Sequence, residues 1–125
     1  VSKKILVIDD EELVIKSISK LLNREGYDVT VCRSGADAVS EIKKAKFDLI
    51  VCDIRMPSLD GVQTVKKIRE YFTVQGRQPP PEILITGYAD EAATREAETL
   101  KVADYLYKPF DLRDFLNCVK RNIGN

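Results

Sequence analysis

Histidine is absent from all 125 residues. That removes a Ser-His-Asp triad, a Cys-His pair and any His-bearing zinc site. Acid–base or nucleophilic work must therefore come from carboxylates, Lys, Tyr, Cys or hydroxyls. The chain also lacks a charge excess: Lys+Arg and Asp+Glu number 20 each, for a formal net charge of zero. It offers no electrostatic footprint for nucleic acid or an anionic membrane. No apolar run approaches the length of a membrane span, and no signal peptide is visible. The 3 cysteines, Cys32, Cys52 and Cys118, are odd in number and unclustered within apolar patterns. Reduced core thiols in a cytoplasmic protein are expected. There are no internal repeats, and the one low-complexity tract is Pro79-Pro80-Pro81. The chain starts at Val1 rather than Met, so a fragment of something longer is one reading.

What is present suits a single domain. Hydrophobic residues make up 44%, enough for one core without disulfides or a structural metal. Ile5-Leu6-Val7-Ile8, Leu49-Ile50-Val51-Cys52 and Ile83-Leu84-Ile85 are short continuous apolar runs, the pattern of strands buried on both faces. Tyr27 to Cys32 alternates apolar with polar, as at a sheet edge. Asp104-Tyr105-Leu106-Tyr107 is short and polar-flanked, a second edge. Between them, helical spacing appears at Val14, Ile18, Leu21 and Leu22; at Ala38, Val39 and Ile42; and at Val62, Val65, Ile68 and Phe72. A thin stripe follows at Ala93, Ala97 and Leu100, in a helix starting near Asp90. The last stripe is Leu112, Phe115, Leu116, Val119 and Ile123. Gly26 ends the first helix; Ser34-Gly35 opens the second. Pro57-Ser58-Leu59-Asp60-Gly61 reads as a loop, in which Asp60 is the candidate N-cap of the third helix and, with Gln63 three residues on, approximates a capping box. Thr73 to Glu82, with Gly76 and three prolines, reads as loop. Five strands alternating with five helices predict an α/β, doubly wound, five-stranded parallel sheet of flavodoxin-like order 2-1-3-4-5.

That topology gathers the strands' carboxyl ends on one edge. Asp9 and Asp10 end the first strand, Asp53 the third, Thr86 the fourth and Lys108 the fifth. The acidic run Asp9-Asp10-Glu11-Glu12 has a plain explanation as helix N-cap and dipole complement. Four acids in a row exceed what a cap requires. Three carboxylates in one cleft repel unless a cation is present, and hard oxygen ligands suit Mg2+. Lys108 adds positive charge beside one Asp oxygen. Phosphoryl transfer needs such neutralisation, and a carboxylate can serve as its nucleophile, giving an aspartyl-phosphate.

Four motifs in order, Asp9-Asp10, Asp53-Ile54-Arg55-Met56-Pro57, Thr86-Gly87 and Lys108-Pro109-Phe110, resemble the receiver domain of two-component response regulators (the CheY-like superfamily). The match covers nearly all of the chain; only the loop before Ile83 looks longer than usual. The resemblance implies that Asp53 accepts a phosphoryl group from a partner sensor histidine kinase or histidine phosphotransfer protein. It implies Mg2+ (or Mn2+) held by Asp9, Asp10, Asp53 and the backbone carbonyl of Arg55. Lys108 would pair with the phosphoryl oxygens, Thr86 would hydrogen-bond to them, and Tyr105 would change rotamer with them. Pro109 would follow a cis peptide. The implied output is a switch on the face of the fourth helix, fifth strand and fifth helix, read by a downstream protein or an output domain that was removed. The expected state is a monomer or weak phosphorylation-dependent dimer.

On this reading residues 1–125 are one receiver domain without an output domain. It is a signalling switch with self-phosphorylation and slow self-dephosphorylation chemistry rather than an enzyme. Three rival readings meet specific obstacles in the sequence. A haloacid-dehalogenase-type aspartyl-phosphate hydrolase would need a second Asp two positions on, where Arg55 stands. A flavodoxin-like FMN carrier would need a Gly- and hydroxyl-rich loop where the acidic run lies. A degenerate receiver acting only in docking is at odds with the intact constellation. Cys52 is expected to face the core, away from Asp53.

Overall fold

The computed structural model describes residues 2–55, 60–87 and 91–124, with backbone alone for residues 91–94. In chain order the elements are β1 (Lys4–Ile8), α1 (Glu12–Arg24), β2 (Asp28–Cys32), α2 (Gly35–Lys44) and β3 (Leu49–Asp53). There follow α3 (Gly61–Val74), β4 (Glu82–Gly87), α4 (Glu91–Thr99), β5 (Asp104–Lys108) and α5 (Leu112–Ile123). The strands form one parallel sheet of order β2-β1-β3-β4-β5. The alternating strand and the short polar-flanked strand are the two edges, as their patterns predict. Of the predicted loop Pro57-Ser58-Leu59-Asp60-Gly61, Asp60 is the N-cap of α3 and Gly61 its first residue. Pro57, Ser58 and Leu59 lie outside the described residues, as do Met56, the predicted helix start at Asp90 and the Ala93 side chain.

Strand alternation divides the core into two layers. Leu6, Ile8, Ile50, Cys52 and Leu84 pack under α2, α3 and α4. Ile5, Val7, Leu49, Val51, Ile83 and Ile85 pack under α1 and α5. Phe115 of α5 is fully buried there and stacks on Phe110 with centroids 5.9 Å apart. Burying such a side chain contributes roughly 1.5–3 kcal/mol. Capping follows the sequence: the Ser34, Asp60 and Asp111 side chains accept from the N–H groups of Asp37, Gln63 and Asp114. Gly26 takes φ 91 just past α1, a conformation costly for residues with a Cβ.

Two expectations need correction. The stretch Thr73 to Glu82 is not all loop, because α3 runs to Val74 and β4 begins at Glu82. Glu82 is buried because Arg69 of α3 meets it: Nε reaches both carboxylate oxygens at 3.1 Å and an Nη reaches one at 2.6 Å. The other Arg69 Nη donates to the Leu100 carbonyl at 2.6 Å, holding the residue just after α4. Leu112, expected in the buried stripe of α5, is 45% exposed in that helix's first turn. It lines an open apolar groove of about 620 Å³ with Leu13, Val14 and Pro109.

Candidate functional site

Parallel pairing puts Ile8 beside Cys52 and Asp53 beside Ile85. The ends of β1, β3 and β4 therefore meet at one edge, and the residues just beyond them converge. Asp9 and Asp53 are buried, 1% and 2% exposed, whereas Asp10 faces solvent. One carboxylate oxygen from each of Asp9, Asp10 and Asp53 lies within 4.8 Å of the others.

The acidic run after β1 is not a helix cap. Glu11 occupies the N-cap position of α1 but makes no side-chain cap bond. Its backbone N–H donates to Asp9 Oδ1 at 2.9 Å. Its own carboxylate crosses to β5 and accepts from Lys108 Nζ at 3.0 Å. The Glu12 carboxylate pairs with Arg33, just past β2. The other Asp9 oxygen, Oδ2, is buried without a protein hydrogen-bond partner. A buried, unpartnered carboxylate oxygen among hard oxygen donors suits a divalent cation such as Mg2+.

Lys108 projects to the same side of the sheet as Asp53. It follows Leu106, which packs in the α1/α5 layer that Asp53 continues from Val51. Its Nζ lies 3.2 Å from Asp53 Oδ2. The other oxygen, Oδ1, accepts from the Arg55 backbone N–H at 3.3 Å. The Lys108–Pro109 peptide is cis.

Burial dominates the electrostatics. It pushes the Asp9 carboxyl up to about 6, reinforced by the charges of Asp53 and Glu11 and opposed by the Glu11 N–H and Lys108. Asp53 is raised for the same first reason, opposed mainly by Lys108 and the Arg55 N–H. Burial works against the Lys108 ammonium, but Glu11 and Asp53 outweigh it and its pKa is raised. The cluster thus holds excess negative charge that one lysine only partly offsets.

Cys52 packs in the opposite layer, as alternation predicts, with its Sγ 3.4 Å from the Asp53 carbonyl. Burial pushes its thiol far up, which removes it as a thiolate nucleophile. Thr86 is buried at the end of β4, with its hydroxyl 3.3 Å from the Gly87 carbonyl. Thr86 pairs with Tyr107 and Leu84 with Tyr105, so Thr86 and Tyr105 belong to one face. The Tyr105 hydroxyl donates to the Ala97 carbonyl of α4 at 2.8 Å. Sequence reasoning missed the reach of Glu11 to Lys108 and the close approach of Gly61 to Asp53. The first pair is 97 residues apart. The second had a local signal, a Gly directly after the capping Asp60.

The sequence profile of the response regulator receiver domain matches residues 5–120. The chain belongs to the response regulator receiver family. As a receiver domain it is a signalling module of two-component systems, with the CheY-like fold. It is 35% identical over 113 residues to the alkaline phosphatase synthesis transcriptional regulatory protein PhoP of Bacillus subtilis, covering 90% of this chain and 45% of that protein. It is 31% identical over 119 residues to the transcriptional regulatory protein CrdR of Helicobacter pylori, covering 95% and 54%. The receiver domain thus spans about half the length of these curated relatives. Among solved structures it resembles the Vibrio cholerae chemotaxis protein CheY4, with TM-score 0.85, 26% identity and coverage of 98% and 99%. It also resembles the receiver domain of the sensor histidine kinase PA1611 of Pseudomonas aeruginosa, which has magnesium coordinated in its active site cleft. That match has TM-score 0.85, 27% identity and complete coverage of both chains. No helix among the described residues is long and apolar enough to cross a membrane.

Proposed function

We propose that this receiver domain is a phosphoacceptor switch and that Asp53 is its acceptor. The observation that carries the reading is a buried Asp53 carboxylate with Lys108 Nζ at 3.2 Å, inside a three-carboxylate cluster. The donor is the phosphohistidine of a sensor kinase or phosphotransfer protein. An Asp53 oxygen attacks phosphorus in line, a P–O bond forms, and the P–N bond breaks with its electron pair going to the imidazole.

Asp9, Asp10, Asp53 and the Arg55 carbonyl would hold Mg2+ or Mn2+, which when bound supplies charge neutralisation for the phosphoryl oxygens. Lys108 orients the acceptor and offsets charge as it develops. The Arg55 N–H fixes the rotation of the carboxylate. Burial keeps water from crowding the nucleophile. The Thr86 hydroxyl then donates a hydrogen bond to a phosphoryl oxygen, and Tyr105, on the same face as Thr86, leaves the Ala97 carbonyl. The output surface is α4, β5 and α5, read by a downstream protein or an attached output domain. The hydrolase alternative lacks an acid two residues beyond Asp53, where the exposed Arg55 stands. Labelling by acetyl phosphate with Mg2+, lost in Asp53→Asn, tests the reading.

A further inference from the structure

We infer that Glu11 is a positioning residue that holds Lys108 in its resting place and opposes the phosphorylated state. The inference rests on the phosphoacceptor reading and concerns the regulation of that same site. An N-cap side chain normally accepts from the first turn of its helix, a task suited to short residues. Glu11 stands at that position and caps nothing. Its backbone is fixed by the N–H bond to Asp9, and its side chain instead spans from the start of α1 to the end of β5. Lys108 Nζ is shared between two carboxylates, 3.0 Å from Glu11 and 3.2 Å from Asp53. The Asp53 side chain is 3% exposed and that of Glu11 is 58% exposed. One partner belongs to the reaction and the other is free to leave.

A phosphoryl group on Asp53 would replace the single carboxylate charge with an acyl phosphate of roughly 1.5–2 negative charges, a net gain of roughly 0.5–1, on oxygens placed further out. Lys108 would then turn toward the new oxygens. Glu11 would have to release it, or stay as a like charge beside the phosphoryl group. Both outcomes favour the unmodified protein. Glu12, one residue on, carries the same charge but pairs with Arg33 instead. It is the natural control for a general charge effect.

The test titrates wild type, Glu11→Gln and Glu12→Gln with beryllofluoride at saturating Mg2+. The Asp53-dependent amide shifts and the Lys108 side-chain ammonium signal are followed by NMR. Glu11→Gln should lower the midpoint about three- to fivefold, the scale of an exposed ion pair, and should move the Lys108 signal before any beryllofluoride is added. Glu12→Gln should leave both as in wild type. An unchanged or raised midpoint in Glu11→Gln, or an equal drop in Glu12→Gln, overturns the inference while leaving Asp53 as acceptor. Failure of wild type to bind beryllofluoride at Asp53 overturns the phosphoacceptor reading, and the inference with it.

Discussion

Gly61 lies against the backbone of Asp53: a Cβ built on it would stand 2.3 Å from the Asp53 carbonyl oxygen and 2.7 Å from the Ile54 Cα. The Gly61 N–H donates to the Ile54 carbonyl at 2.8 Å, so the first residue of α3 is tied to the turn that leaves β3. Only a residue without a side chain allows that approach. Gly61→Ala should push the two segments apart and cost about 1–3 kcal/mol, the usual range for overpacking. It should also weaken Mg2+ binding, because the displaced backbone carries Asp53. Urea denaturation and Mg2+ titration by NMR would measure both. Unchanged stability and affinity would show that the turn yields freely.

The Arg69–Glu82 pair makes a different demand. Glu82 is buried and its only charged hydrogen-bond partner among the described residues is Arg69, which also holds the Leu100 carbonyl. Removing one partner leaves an uncompensated charge. Arg69→Met should cost about 2–4 kcal/mol, discounted for the partial exposure of Arg69. Replacing both, as in Arg69→Met with Glu82→Leu, should recover much of that loss. Urea denaturation of the two single variants and the double variant gives the coupling; additive losses would argue against a shared role.

Asp9 sets a pH dependence in the metal-free protein. Its carboxyl titrates near 6 when folded, against an ordinary value of 3.8. Between those values the folded protein binds more protons than the unfolded chain, so this group's contribution to stability falls as pH rises. The decline begins near the lower value and is complete above the higher one; Asp53 acts in the same direction. Thermal denaturation in chelator should therefore show a falling component from about pH 4 to pH 6. That component should shrink in Asp9→Asn. Mg2+ should bind more weakly as pH drops through the same window. An Asp9→Asn profile parallel to wild type would contradict the assignment.

Much of this was legible in the sequence because the signals were local. Continuous apolar runs mark β1, β3 and β4 as buried on both faces, and alternation marks β2 as an edge. Ser34, Asp60 and Asp111 announce helix starts through short side chains that reach the next turn. Connectivity then brings Asp9, Asp53, Thr86 and Lys108 to one sheet edge with no further information. Glu82 was misread because a charged residue after three prolines looks like loop. It is strand because it pairs with Ile50 of β3, and its carboxylate is tolerated there because Arg69, on another element, meets it. The four acids after β1 exceed what a cap requires, but local helix-start signals do not show where Glu11 reaches, because its partner Lys108 arrives from the far end of the chain. Leu112 fitted an apolar stripe by spacing alone, but spacing does not say where a helix's first turn overhangs its support.

The central claim is that the buried Asp53, beside Lys108, is the atom-level acceptor of a phosphoryl group. Intact-mass measurement after incubation with acetyl phosphate and Mg2+ tests it most directly. Wild type should gain the mass of one phosphoryl group, chelator should abolish the gain, and Asp53→Asn should show none. Equal labelling of Asp53→Asn, or a folded wild type that stays unlabelled with Mg2+ present, would contradict it.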